Sequence, residues 1–490
     1  MKRIKYIYII AVSLLALTSC ESYLDLNPHE ELAYDQAFKD AAGVEIATRG
    51  IYYEMHENDG YYDGLQLILP DVLADNLILC SEGRLTMDLM HSWDISSGNY
   101  YVTRAWSQIY VVINRCNQVI ARSDAVEAEG DELLLKNHSV GEAYALRAMA
   151  HFDLLKYYAK SYTSASDADL GVPYVTAPEP TSPARTPVKE CYTNVIADLN
   201  TAIELMDAGE IDPAEGNTRF SSLAAKALLA RVYLSMENWN DAISLASEVI
   251  NNSSLASIDE FPLVWTDASE AGVLFKLRMT ATDNSQTTSG STVGVYYSQT
   301  GPSGTRSEYV CSYDLYNLFA ANDIRLSSWI YTDVYNGKLF NLIWKYKQRE
   351  GESVPDLVDA KILRVAEMYL IRAEASMNLA TPDETTALSD LNTLRAQRYE
   401  GFSDGNESGQ ALINAIDLER RLELAFEGHR WFDLKRKGLP VNRMASGDEA
   451  DGGGLQYRSL NLPANSYKWQ LPIPTVEMDA NDNIVQNDQY

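Results

Sequence analysis

The chain has 490 residues, of which 46% are apolar and 22% charged, a composition typical of globular proteins. Its 69 acidic residues outnumber its 40 basic residues and give a formal net charge of −29. A surface of that sign repels phosphate backbones and anionic lipid headgroups, which excludes nucleic acid as a partner and a basic patch as the means of holding a membrane.

The first 19 residues have the pattern of a secretory signal peptide. Three basic residues precede an apolar run over residues 6–17, which is too short to span a bilayer. Small residues follow, and Leu-Thr-Ser-Cys at 17–20 resembles the lipobox of bacterial lipoproteins. The resemblance implies that Cys20 becomes the lipidated first residue of a membrane-anchored protein. The alternative is cleavage to a soluble periplasmic protein.

Helical periodicity dominates two long parts of the mature chain. In residues 141–160, Ala145 and Ala148 allow close helix approach, while Phe152 and Leu155 supply large contacts on the same face. The predicted helical segments are 104–122, 141–160, 188–206, 222–250 and 363–395.

The segment 222–250 resembles a tetratricopeptide repeat. Ala230 and Tyr233 have the spacing of its first helix, and Ala242 opens the second at the expected offset. The segment 363–395 matches less well because its turn is longer, and there Thr381-Pro382 predicts the cap and first turn of a helix. Such helix pairs cannot bury their faces alone and stack into a superhelix.

Residues 56–101 and 251–359 lack sustained helical periodicity. They predict loops with short helices and a few short strands, including one helix near 312–320. The tail 459–490 has three prolines and predicts extended chain that wraps the scaffold. The expected regions are a signal peptide (1–19), an N-terminal helical region (20–255), a loop-rich region that forms part of the ligand face (256–360) and a C-terminal region (361–490).

Several stretches together resemble the SusD/RagB family of outer-membrane lipoproteins. ERRLELAFEGHRWFDLKRK at 419–437 looks like that family's signature, and LPIPTVEMDANDNIVQNDQY at 471–490 is similar to its closing stretch. The final stretch departs in having Asn-Asp-Gln-Tyr where Asn-Pro-Gly-Tyr is common. The mature start CESYLDLNP, the helix at 143–157 and LRVAEMYLIRAEA agree in order.

The resemblance implies a mainly α fold, a SusD-like superhelix of four tetratricopeptide-like units with a loop-rich face. It implies a lipid-anchored protein at the exterior of the outer membrane, with a SusC-like TonB-dependent transporter as its partner. It also implies capture of nutrients for import, most often oligosaccharides, without naming the glycan.

The signature stretch places three carboxylates one helical turn apart. Paired carboxylates suggest general acid–base catalysis, but we favour a structural network of arginines and carboxylates that joins two helices. Gly428 is expected to end one helix with positive φ before Arg430 starts the next. The carboxylates are Glu419, Glu423 and Glu427, and the nearby arginines are Arg420, Arg421 and Arg430.

No motif for a nucleophile, a phosphate loop or a metal centre is present in the sequence. The six histidines lack ligand spacing and no C-x-x-C occurs, so we expect no enzyme activity, cofactor or metal. Four cysteines remain after Cys20, and they are either disulfide-paired in one of three ways or small buried residues. They are Cys80, Cys116, Cys191 and Cys311.

Loop aromatics are the candidates for ligand binding. A sugar ring has an apolar face and a polar rim, so it suits a flat aromatic flanked by amides and charges, although each aromatic is alternatively a packing residue. A few stacks predict dissociation constants between about 1 mM and 1 μM. The candidates form three clusters: Arg84, Trp93, Asn99, Tyr100 and Tyr101; Tyr296, Tyr297, Arg306 and Tyr309; Trp329 and Tyr331.

Two other functions remain open from the sequence. A repeat superhelix presents a concave face, so the chain could be a scaffold that binds proteins or peptides without binding glycans. A glycoside hydrolase is the third reading, because catalytic carboxylates carry no short signature.

Overall fold

The computed structural model describes residues 37–56, 61–208, 216–280, 293–297, 307–347, 349–351 and 357–490, and helices predominate there. The helices are α1 Ala41–His56, α2 Gln66–Leu73, α3 Asp88–His91, α4 Tyr100–Ser123, α5 Asp131–Tyr158, α6 Val188–Asp207, α7 Ser222–Ser235, α8 Trp239–Asn251, α9 Phe261–Val264, α10 Val293–Tyr297, α11 Tyr313–Tyr316, α12 Ile324–Trp329, α13 Val365–Met377, α14 Glu384–Ala396, α15 Gly409–Glu423, α16 Arg430–Arg436 and α17 Thr475–Ala480. The strands are β1 Leu77–Leu79, β2 Val273–Leu277, β3 Tyr309–Cys311, β4 Ile330–Tyr335, β5 Lys338–Ile343, β6 Ala360–Arg364, β7 Val441–Asn442 and β8 Asn461–Leu462.

Eight long helices form one continuous array. Each packs on the next in the order α4, α5, α6, α7, α8, α13, α14 and α15, and α1 covers α4 and α5. This arrangement confirms the predicted mainly α, tetratricopeptide-like superhelix. Over the described ranges, no helix combines the length and apolar character needed to cross a bilayer.

Small residues set the close spacing of this array. Ala145 and Ala148 are fully buried on α5. A Cβ at Gly141 would lie 2.8 Å from the Met206 side chain and 3.0 Å from the Ala202 carbonyl oxygen on α6. Glycine therefore permits the contact between α5 and α6, which a larger residue would force apart.

The predicted helices correspond to α4, α5, α6, the pair α7–α8 and the pair α13–α14. The predicted cap at Thr381-Pro382 is wrong, because Asp383 caps α14 by accepting a hydrogen bond from the Thr386 amide at 3.0 Å. The helix predicted near 312–320 is limited to the four residues of α11. The helix begins two residues later than Thr381-Pro382 indicated, because the Asp383 carboxylate is the group that bonds a free amide of its first turn.

A small antiparallel sheet supports the loop-rich face. Its strand order is β1-β3-β5-β4, while β2 pairs with β6 and β7 with β8. Strands β4 and β5 form a hairpin whose turn is Asn336-Gly337, with positive φ at both residues. Asn-Gly is the preferred pair for such a turn, because both positions require a left-handed backbone.

The tail crosses the ends of the helices. The Asn487 side-chain amide donates to the Tyr158 and Leu471 carbonyls at 2.8 and 2.7 Å, and Arg185 donates to the Val485 carbonyl at 2.9 Å. The tail wraps the scaffold as predicted, but it is not wholly extended, since α17 lies within it.

A buried ion network joins the signature stretch to the loop-rich region. Glu423 is fully buried and accepts hydrogen bonds from Arg325, Arg364 and Arg398 at 2.8–3.2 Å. Burial alone would raise the pKa of the Glu423 carboxyl, but Arg398, Arg364 and Arg325 hold it well below its usual range. The predicted structural network is thus present, with guanidinium partners drawn from outside the signature.

The signature arginines have different partners from those expected. Arg430 clamps Asp75 at 2.7 and 2.9 Å, and Arg420 donates to Asp433 at 2.8 Å. Gly428 has φ +76° as predicted, although α15 ends earlier, at Glu423. The residues between α15 and α16 therefore form a longer turn than the sequence indicated.

Candidate ligand-binding site

Residues from two distant parts of the chain meet beside the amino end of α4. Arg84, Tyr100 and Tyr101 lie there with Tyr296 and Tyr309, and we call these five residues the tyrosine site. The rings of Tyr296 and Tyr309 are 6.1 Å apart, and those of Tyr100 and Tyr101 are 5.3 Å apart and nearly perpendicular. The site joins most of the first predicted cluster to two members of the second.

Glu308 holds the tyrosine site together. Its buried carboxylate accepts from the Arg84 Nε at 2.5 Å, the Arg84 amide at 3.0 Å and the Thr86 amide at 3.3 Å. Burial alone would lower the pKa of the Arg84 guanidinium, but its bond to Glu308 raises it. The Tyr309 hydroxyl donates to the Thr86 carbonyl at 3.2 Å. These hydrogen bonds to Glu308 therefore hold the loop that carries Arg84 in one position.

Asn99 has a local role in the site. Its side-chain oxygen accepts a hydrogen bond from the Tyr101 amide at 2.9 Å, so it caps the first turn of α4. The cap fixes the point at which Tyr100 and Tyr101 leave the loop. Asn99 positions the two rings and remains half-buried beside them.

Exposure divides the tyrosine site into a floor and a contact surface. Tyr100 is 56% exposed and the Arg84 side chain 40%, whereas Tyr296 and Tyr309 are buried. Burial also raises the pKa of Tyr101, so its hydroxyl stays protonated near neutral pH. A ligand would therefore contact the ring of Tyr100 and the guanidinium of Arg84, with the buried rings of Tyr296 and Tyr309 beneath them.

Three predicted contact residues lie in the core instead. Trp93 is 2% exposed, and its indole donates to the Leu73 carbonyl at 2.9 Å. Tyr297 packs against Tyr346 and Phe426. Trp329 packs against Phe261 and Trp265, with the Lys345 Nζ 3.6 Å from its ring. These rings serve packing and offer no face to a ligand. Arg306 and Cys20 lie outside the described residues.

A second exposed aromatic pair lies on the opposite face of the sheet. Tyr331 and Trp344 are 49% and 36% exposed, with ring centroids 5.0 Å apart. Tyr331 pairs with Leu342, which pairs with Val310, so Tyr331 and Val310 share one sheet face. Tyr309 points to the other face. The structure therefore separates the third predicted cluster from the tyrosine site, and Trp344 was missed because no turn or loop signal marks it.

The carboxylates of the signature do not form a catalytic arrangement. Glu419 is buried and paired with Arg325 at 2.6 Å and Arg395 at 3.0 Å. Glu427 is bound by Arg364 at 2.6 Å and Lys345 at 2.7 Å. In the described part of the chain, no group of three or more histidine, cysteine, aspartate or glutamate side chains is placed to hold a metal ion.

Two sequence profiles match the chain. Residues 331–490 match the SusD family, and residues 22–234 match a family described as starch-binding and associating with the outer membrane. Among curated proteins, SusD-like protein P2 of Formosa agariphila is 28% identical over 99% of both chains. A SusD-like protein of Bacteroides ovatus is 22% identical over 87% of this chain and 81% of its own length.

Solved structures give the same result for the fold. A candidate sugar-binding protein from Bacteroides vulgatus superposes with a TM-score of 0.80 at 27% identity, covering 93% of this chain and 99% of its own. A SusD superfamily protein from Bacteroides thetaiotaomicron also gives 0.80, at 25% identity, with 92% and 100% covered. The helical array with its loop-rich face is therefore the architecture that these proteins share.

Proposed function

The chain belongs to the SusD/RagB family, and we propose that it captures oligosaccharides at the cell exterior and delivers them to a SusC-like TonB-dependent transporter. The family profile over residues 22–234 is described as starch-binding and outer-membrane-associated, which supports a carbohydrate ligand. Lipid on Cys20 would hold the protein at the membrane, since a net charge of −29 cannot.

The tyrosine site is the observation that carries this proposal. Its two halves are far apart in sequence, with Arg84 and Glu308 separated by 224 positions, yet they build one fixed surface. A flat exposed ring beside a guanidinium matches the apolar face and the hydroxyl rim of a sugar. The buried tyrosines beneath prevent the loop from rearranging, so little ordering cost accompanies binding.

The same geometry predicts weak binding. One stack on the exposed ring contributes on the order of 1 kcal/mol beyond burial, and a shallow surface adds few further contacts. Dissociation constants between about 1 mM and 1 μM correspond to roughly −4 to −8 kcal/mol. Weak capture suffices where a transporter lies beneath the site.

Titration calorimetry with the full-length protein tests the site. Across a panel of oligosaccharides we expect one class to bind, and Tyr100→Ala to weaken it by about 2- to 12-fold, the equivalent of roughly 0.5–1.5 kcal/mol. Tyr331→Ala is the matched control, because it removes a similarly exposed tyrosine from the other face of the sheet. A panel without any binding glycan, together with saturable peptide binding, would establish the scaffold function instead.

The anchor and the transporter need separate measurements. Metabolic labelling with a tagged fatty acid should mark the wild-type protein, and Cys20→Ala should abolish the label. Gentle detergent extraction should then co-purify an outer-membrane barrel with the wild-type protein. Recovery of unlabelled wild-type protein in the cytosolic fraction would refute surface anchoring even if glycans bind in vitro.

A further inference from the structure

A polar cleft of about 540 Å³, whose lining residues are separate from the tyrosine site, lies at the carboxyl ends of α5 and α16. The loop after α5 forms one wall, the last turn of α16 the base, and the tail the other wall. The Tyr158 hydroxyl of α5 donates to the Val102 carbonyl of α4 at 2.7 Å, so the cleft and the tyrosine site lie at the same end of the α4–α5 pair.

The walls of the cleft offer the groups that sugars require. Ser161, Asn465 and Gln489 supply hydroxyl and amide groups. Tyr467 provides an aromatic ring, held edge-on by Tyr490 with the ring centroids 5.0 Å apart. A single aromatic wall among amides and hydroxyls suits one or two sugar rings rather than an apolar ligand.

The charge of the cleft is opposite to that of the whole chain. Four cations and two carboxylates line it among the described residues, in a protein of net charge −29. Three of the cations already have carboxylate partners, since Lys160 pairs with Asp169 at 2.5 Å, Arg436 binds Glu374 at 2.5 and 2.8 Å, and Lys437 pairs with Asp417.

Lys435 is the exception among these cations. Its ammonium donates to the Lys156 carbonyl at 2.6 Å and forms no ion pair within the described residues. Burial lowers the pKa of Lys435 to about 7, with no opposing carboxylate. The Lys435 amine is therefore only partly charged near pH 7, and an anionic ligand in contact with it would stabilise the ammonium form and supply the partner that the protein lacks.

We propose that this lysine cleft is a second carbohydrate site, and that it takes an anionic sugar through contact of a carboxylate or sulfate group with Lys435. The inference rests on the proposed glycan-binding function and deepens it by naming a substrate class. A chain that carries uronate or sulfate groups would be selected over a neutral chain of the same size.

The test is calorimetry on the full-length protein with three probes: trigalacturonate, a sulfated galactose trisaccharide and neutral galactotriose. At least one anionic probe should bind about ten-fold or more tightly than the neutral one, as one charge-assisted hydrogen bond predicts. Lys435→Gln should remove that preference and Lys435→Arg should keep it. Which anionic probe binds identifies the carboxylate or the sulfate as the group recognised.

Two controls make the outcome decisive. Lys160→Gln removes a partly exposed cation from the cleft wall and leaves the negative charge of its partner Asp169 unopposed, so it should lower anionic-probe affinity a few-fold even if Lys435→Gln fails to fold. Tyr100→Ala should leave the anionic preference intact, which separates this cleft from the tyrosine site. Equal binding of neutral and anionic probes, or a Lys435→Gln protein that folds and retains the preference, overturns the proposal.

Discussion

Glu423→Gln should destabilise the protein strongly, because this one carboxylate is bonded to three buried guanidinium groups. Arg398 is the most dependent of them: it is buried, and within the described residues Glu423 is its one carboxylate partner, at 2.9 and 3.1 Å. Its other hydrogen bonds go to the carbonyls of Ala256 and Gln397. Removing one member of a buried ion pair costs about 3–5 kcal/mol, and we expect Glu423→Gln to fall in that range.

Equilibrium urea unfolding at pH 7, followed by far-ultraviolet circular dichroism, measures the loss. Glu248→Gln is the control, because Glu248 pairs with Lys226 at 2.9 Å while 46% exposed and should cost less than about 1 kcal/mol. The double variant Glu423→Gln/Arg398→Met should recover at least about 1 kcal/mol relative to the sum of the single variants, since it also removes the stranded charge. A Glu423→Gln loss equal to that of the control would refute the reasoning.

Three further outcomes are expected. Gly428→Ala should lower the free energy of unfolding by about 1–3 kcal/mol in urea melts, since φ is +76° there and a Cβ would lie 2.9 Å from the Gln66 carbonyl oxygen. Burial lowers the pKa of His151 to about 3. Between about pH 6.5 and 3 its imidazole is therefore protonated in the unfolded chain and neutral in the folded protein. Stability should therefore fall by up to about 1.4 kcal/mol per pH unit between pH 6.5 and 3 from this residue, and His151→Gln should flatten that part of a urea-midpoint profile. Burial raises the pKa of four thiols, so Ellman's reagent should label them only after unfolding, and rapid labelling of the native protein would contradict their placement; they are Cys80, Cys116, Cys191 and Cys311.

The helices were predictable because their signals are local. Ala230, Tyr233 and Ala242 lie within one helix pair, and their spacing alone defines α7 and α8. Ends were less predictable, as the cap at Asp383 rather than Thr381 shows, because a cap depends on which side chain reaches the free amides.

The candidate site was predictable as a set of residue types, but exposure was not. Trp93 and Tyr100 both lie in aromatic loop sequence, yet Arg443 stacks on Trp93 at 4.2 Å and encloses it. Arg443 lies 350 positions from Trp93 in the chain, so no local sequence pattern predicts the contact. The partners of Glu423 were missed for the same reason, since neighbours on one helix were assumed where residues from three other segments supply the charge.

Asn487, in the tail, caps the carboxyl end of α5, a helix made much earlier in the chain. The Asn487 side-chain amide donates to the Tyr158 carbonyl from 329 positions away, so during synthesis this hydrogen bond forms only after all the long helices have been made. A protein cut short by a premature stop just before Asn487 would retain every long helix and still lack this closure. Detachment of the tail would therefore expose the carboxyl end of α5 while leaving the helices themselves intact.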